Sequence, residues 1–170
     1  KSTREMAGVL LVERLAEALT RSGEFEAALP YYEEALNEKT DSRTLFAYGF
    51  TALQAGYAQT AIDKLSALKE LDPDYAPLYL YLAKAYEQEG QLRKSYETAL
   101  EGIKIDEWNK ELRLYIGKLA LKLNKPAEAE EQLKKALEID GGYIEALTVL
   151  SALWLHEQRY EDVVALLERA

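Results

Sequence analysis

The stretch YLYLAKAYEQEG, residues 79–90, sets large and small residues at helical spacing and closes on a glycine. Its weight comes from recurrence. A shift of 34 residues brings like residues into register along the whole chain. Copies start at residues 9, 42, 76, 110 and 144; the first is one residue short and the last is incomplete. The column of Leu82 reads Leu15, Tyr48, Leu82, Ile116 and Leu150. The column beside it is small throughout: Ala16, Gly49, Ala83, Gly117 and Ser151. Further on, Ala28, Ala61, Ser95, Ala129 and Val163 stay small until the last copy, while Tyr32, Leu65, Ala99, Leu133 and Leu167 are large in all but one.

Each copy holds two runs of helical apolar period, broken at the column of Gly23, Gly56, Gly90, Asn124 and Gln158. Glycine and Asn accept the left-handed conformation that ends a helix. Second helices then begin, as in EFEAALPYYEEAL after Gly23 or PAEAEEQLKKAL, where Pro126 sits in a first turn that needs no N–H. Between copies lie LDPDYAP, with Pro73 and Pro77, and EIDGGY, with Gly141 and Gly142. The unit is therefore helix, tight turn, helix, short turn. The small columns let the two helices of a hairpin approach, and the large ones fill the space between neighbours. No single hairpin buries both faces, so stacking must stabilise the array. Pro30 is out of place inside a second helix, where it should kink or delay that helix at a cost of about 3 kcal/mol.

Composition narrows the function. Lys plus Arg is 21 against 30 for Asp plus Glu, a net charge of −9. The excess is even, with 9 basic and 13 acidic residues in 1–85 and 12 and 17 in 86–170. Such a chain repels phosphate backbones, which argues against nucleic acid as a partner. No Cys is present, so there is no thiol nucleophile, disulfide or thiolate metal site, and His156 is the one histidine. No apolar stretch reaches the length of a membrane span, so membrane insertion is not expected. Neither a cofactor nor an enzyme is expected, because one His without a positioned nucleophile makes no catalytic constellation. Carboxylate pairs such as Glu33 with Glu34 and Glu130 with Glu131 read as outward, solvated charge, and Trp108 and Trp154 as packing residues.

The columns resemble the tetratricopeptide repeat (TPR), a 34-residue unit with a large residue at position 4, Leu at 7, a small residue at 8 and Tyr at 11. Its second half favours Ala at 20, a large residue at 24, Ala at 27 and proline at 32. Tyr79, Leu82, Ala83, Tyr86 and Gly90 match its first helix, and AEAEEQLKKALEID its second. Departures include Arg113 at position 4, Ala52 and Ala120 at 11, and Gly102 at 27; the late proline survives only as Pro73. The resemblance implies an all-α, right-handed α-solenoid superhelix of stacked antiparallel helix pairs. Its segments are a lead at 1–8, units at 9–41, 42–75, 76–109 and 110–143, and an incomplete unit at 144–170. It also implies a protein-interaction module whose first helices line a concave groove.

In this family, first-helix positions 2, 5, 9, 12 and 13 face the groove. The resemblance therefore implies an aromatic pair, Phe46 and Phe50, with Arg43 and Leu53 beside it. A leucine and lysine ladder follows: Leu80, Lys84, Leu114, Lys118, Leu121 and Lys122, with Glu13 and Glu17 forming an acidic first end. The expected partner is a protein or peptide segment with apolar side chains and carboxylates. The plainer alternatives are that the phenylalanines pack under a neighbouring helix and that the lysines form a solvated face. Family members that grip chaperone C-termini carry a Lys and Asn set at positions 5 and 9. Glu13, Glu17, Phe46, Phe50, Leu80 and Lys84 occupy those positions here, so that use is excluded. Two other readings stay open: a structural segment forming a homo-oligomer through an uncapped C-terminal end, and a peptide-sensing domain of a larger regulator. Absence of Cys and of a signal pattern favours the cytoplasm.

Overall fold

Five tight turns organise the protein, and all five are built alike. The computed structural model describes the backbone of residues 3–169 and the side chains of residues 8 and 10–168. Gly23, Gly56, Gly90, Asn124 and Gln158 take φ values of +83°, +87°, +74°, +58° and +60°. In each case that residue's N–H bonds the carbonyl three residues back, and the next N–H bonds the carbonyl five back. Examples are Glu24 N–H to Leu19 O at 2.9 Å and Arg159 N–H to Trp154 O at 2.8 Å. This pairing satisfies carbonyls that a helix end would otherwise leave open.

The described residues form ten helices and no strand, and they divide into two compact units, one ending at Gln91 and the other starting at Leu92. The first unit holds α1 (Thr3–Ser22), α2 (Phe25–Glu38), α3 (Ser42–Gln54), α4 (Ala58–Leu71) and α5 (Pro77–Gln88). Each packs on the next, and α3 also meets α1 and α5. The second unit holds α6 (Leu92–Ile105), α7 (Lys110–Lys122), α8 (Pro126–Ile139), α9 (Ile144–His156) and α10 (Tyr160–Arg169). Again neighbours pack in sequence, with α7 also against α9. Side-chain caps open two first helices: Asp41 accepts from Thr44 N–H, and Asn109 from Leu112 N–H. Proline opens α5 and α8.

The small columns are buried as the hairpin argument requires. Ala16, Ala28, Ala61, Ser95 and Ala129 are fully enclosed. Their role is sharpest at the two glycines. A Cβ on Gly49 would lie 2.5 Å from Leu65 Cγ, and one on Gly117 would lie 2.9 Å from Leu133 Cγ. The small residue of each first helix thus makes room for the large residue of its own second helix.

Two expectations need correction, at Pro30 and at Trp108. The expected delay at Pro30 does not occur: α2 starts at Phe25 and continues past it to Glu38, with Pro30 on the exposed face. Helix α1 begins at Thr3, within the lead segment; Lys1, Ser2 and the terminal Ala170 lie outside the described residues. Trp108 is not a packing residue. It is 72% exposed in the α6–α7 connection, whereas Trp154 is buried.

Candidate functional site

In the first unit, α3 presents Phe46 and Phe50 one turn apart, both half-buried. Their principal neighbour is Tyr81 on α5. Its ring meets Phe46 edge-on at 5.5 Å between centroids and Phe50 at 5.1 Å. Tyr75 adds a tilted contact to Phe46 at 5.2 Å. Edge-to-face pairs at these distances gain about 0.5–1.5 kcal/mol each beyond area burial. Tyr75 is placed by the α4–α5 connection: its N–H bonds Asp72 O, its carbonyl accepts from Leu78 N–H, and Tyr79 OH bonds Pro73 O at 2.6 Å. Burial pushes the Tyr75 phenol pKa up. One turn along α5, the Lys84 ammonium lies 5.4 Å from the Tyr81 ring centre, and Leu80 is half-buried beside it in sequence. Four aromatic rings and a cation thus converge on one face of the first unit.

The surrounding polar residues are less available than their spacing suggested. Arg43 is 71% exposed, yet its guanidinium pairs with Glu17 of α1, which also meets Arg21. Glu13 accepts a hydrogen bond from the buried Thr44 hydroxyl at 2.7 Å. The acidic first end is therefore partly consumed within the unit. Leu53, expected at the ligand face, is 8% exposed and belongs to the core of the first unit. Leu114 is 6% exposed and has equally little to offer a ligand. Both positions lie close enough to the helix–helix contact that a leucine turns inward.

In the second unit, α7 carries Lys118 and Lys122 exposed and one turn apart, with Leu121 half-buried next to Lys122. Leu121 lines an open, mainly apolar cleft of about 640 Å³ whose far wall is Thr148, Val149, Ala152 and Leu153 of α9. His156 and Asn124 stand at one end of it.

Three features escaped sequence reading. Tyr81 and Tyr75 complete the aromatic cluster, but Tyr81 falls one place from a groove position of the family and Tyr75 lies in the connection before α5. Only the rotation of α5 brings Tyr81 to Phe46 and Phe50. The third is Glu130, read as solvated but only 18% exposed in its side chain. It accepts two hydrogen bonds from Arg159, at 2.7 and 3.2 Å, and pairs with Lys134 at 2.6 Å. The Arg159 bonds, with help from Lys134, hold its carboxyl down to about 2. Both cations also lie over the Trp154 ring, at 4.8 and 5.4 Å. A sequence signal existed in Arg159, the residue after the left-handed Gln158, which is fixed by the turn and faces the preceding hairpin.

Among the described residues no group of three or more His, Asp or Glu is placed to hold a metal ion, and no helix is long and apolar enough to cross a membrane.

Comparison with known proteins points one way. A family model described as Tetratricopeptide repeat matches residues 12–41 and 112–143. The TPR repeat-containing protein YpiA of Bacillus subtilis (strain 168) is 51% identical over 164 residues; the match covers 96% of this chain and 39% of that protein. The chain thus spans well under half the length of that relative. Among solved structures, MamA superposes with a TM-score of 0.83 at 19% identity, covering 91% of both chains. YrrB, described as a TPR protein with an unusual peptide-binding site, superposes with a TM-score of 0.74 at 18% identity, covering 93% of this chain and 82% of its own. At such identities these structures establish the all-α repeat fold alone.

Proposed function

Because the chain belongs to the tetratricopeptide-repeat family, we propose that it is a protein-interaction module whose first-helix faces bind a segment of a partner protein. The single observation that carries this reading is the half-buried cluster of Phe46, Phe50, Tyr75 and Tyr81 with Lys84 at its edge. Rings held by one another present a rigid apolar surface, so a ligand loses little entropy in ordering them. Covering one phenylalanine contributes roughly 1.5–3 kcal/mol, whereas an exposed lysine–carboxylate pair gives at most about 1 kcal/mol. Apolar contact therefore sets affinity, and Lys84 sets orientation. The peptide-binding description of YrrB supports an interaction role in general terms.

The test takes a partner trapped by cross-linking to the full protein and titrates it calorimetrically against wild type, Phe50→Ala and Lys84→Glu. Phe50→Ala should weaken binding by more than about 1 kcal/mol, roughly fivefold or greater. Lys84→Glu should mainly slow association and flatten its salt dependence. Binding indifferent to both substitutions would sink the assignment of this face.

A second reading rests on α10, where Tyr160, Val164 and Leu167 stand exposed at i, i+4 and i+7. Such a stripe suits stacking against another helical surface. Sedimentation across a wide concentration range decides whether that surface is a second copy; a monomer throughout excludes it.

A further inference from the structure

We infer that two copies of this chain associate head to tail, the outer face of α1 in one copy packing on the outer face of α10 in the other. This deepens the second reading above, on which it rests, by naming both halves of the contact. The pattern for it lies inside the first unit. Tyr32 of α2, at repeat position 24, stacks at 6.0 Å on Tyr48 of α3, at position 7 of the following repeat. Lys64 of α4 closes the same junction on Glu33, the residue after Tyr32, at 3.0 Å. A second helix thus receives the next first helix where position 24 meets position 7.

Burial along the same columns marks two places where that contact is open. At position 24, Tyr32, Leu65, Ala99 and Leu133 are buried, whereas Leu167 is 56% exposed. At position 7, Tyr48, Leu82, Ile116 and Leu150 are buried, whereas Leu15 is 43% exposed. Position 3, one turn before it, repeats the pattern: Thr44, Leu78, Leu112 and Ala146 are buried, and Leu11 is 68% exposed. Val164 and Tyr160 extend the open stripe on α10. The α1 face therefore carries the apolar pair of a first helix, and the α10 face carries the apolar column that such a pair covers. The two are unlike and complementary, which makes the contact heterologous rather than two-fold. In it Glu168 takes the place of Glu33, and Tyr31 that of Lys64, so a hydroxyl donor faces the carboxylate.

The chain has no cysteine, so single cysteine variants report the pairing without background. Leu15→Cys and Leu167→Cys chains, purified apart, are mixed, treated with a short bis-maleimide and resolved by mass. The mixed dimer should exceed either homodimer by at least about tenfold. Adding Leu11→Glu to the Leu15→Cys chain should abolish it; Leu11 is exposed, so the fold does not depend on it. Circular dichroism of that double variant confirms the point. A mixed dimer that survives Leu11→Glu overturns the inference, as do equal yields of all three dimers, which signal random capture. A dominant homodimer of the Leu167→Cys chain means that α10 pairs with itself, so the second reading stands and this inference falls. No cross-linked product, together with a monomer throughout sedimentation, overturns both and leaves the α10 face to a different occupant, such as a following repeat of a longer protein.

Discussion

The two units place the same repeat columns in the same register and hold them together by different chemistry. In the first, Tyr32 and Tyr48 stack at 6.0 Å, and Thr20 hydrogen bonds both the Tyr32 and Thr51 hydroxyls at 3.0 Å. Neutral rings and hydroxyls predominate, with the Lys64–Glu33 pair at their border. In the second, Glu130 gathers Arg159 and Lys134 around Trp154, and Lys110 meets both Asp140 and the Tyr143 ring. The repeat template therefore dictates backbone path and side-chain size, and leaves the polarity of the contacts open. Conditions that attack charge should separate the units where conditions that attack packing do not.

The largest effect should come from packing. Tyr32 is 1% exposed, and Tyr32→Ala should cost about 3–5 kcal/mol. Hydrogen exchange read by mass spectrometry should show the loss in α1 to α4, and equal protection before and after would contradict it.

Next comes pH, to which each unit should respond through its own groups, with the strongest acid response at Glu130 of the second. The folded Glu130 carboxyl titrates near 2 instead of 4.5, so its stabilisation is complete above pH 4.5 and disappears as pH falls toward 2. Hydrogen bonds to such a partly buried carboxylate contribute about 1–2 kcal/mol. Tryptophan fluorescence reports the second unit alone, since both Trp residues lie there. Glu130→Gln should remove this acid sensitivity. Tyr48 shows the converse: burial and its Glu33 partner push its phenol up to about 12. Its contribution is whole below pH 10 and lost as pH rises through 12, so alkali should loosen the first unit, less so in Tyr48→Phe. Glu33, held low by Tyr48 and Lys64, adds a weaker acid response to that unit.

The paired glycines sharpen the comparison at a single column. Alanine gains about 0.5–1 kcal/mol in a helix interior, but the added methyl must displace a leucine at a cost of about 1–3 kcal/mol. At Gly49 the clash is closer, so Gly49→Ala should lose about 1 kcal/mol net, while Gly117→Ala should be near neutral. Denaturant midpoints in the reverse order would show that the distance to the facing leucine does not set the cost. The smallest effect should be Gln158→Gly, which relieves a left-handed non-glycine residue and should gain about 0.5–1 kcal/mol, measured as a raised Tm.

Much of the fold was legible in the residues themselves. Repetition at 34 marks the hairpins because steric size is a local property that a column of Ala and Gly records directly. The turn column carried its conformation even where Asn124 and Gln158 replace glycine, since register alone forces the left-handed geometry there. The site was legible only in part. Phe46, Phe50 and Lys84 were found by their place in the repeat, but Tyr81 and Tyr75 were not, nor was the loss of Leu53 and Leu114 to the core. A rotation of some tens of degrees about a helix axis decides whether a side chain at the edge of a face turns in or out, and periodicity does not resolve it.

What the sequence by itself determined is the repeat, its helical hairpins, its five left-handed turns and its acidic character. These depend on residue size, backbone preference and charge, which each residue brings with it. Only the tertiary structure decided that four rings from two helices and a connection meet on one face, and that Glu130 is a hub for two cations. It also decided that an aliphatic cleft opens between α7 and α9. Those outcomes depend on distances between residues far apart in the chain, which arise only when the hairpins pack.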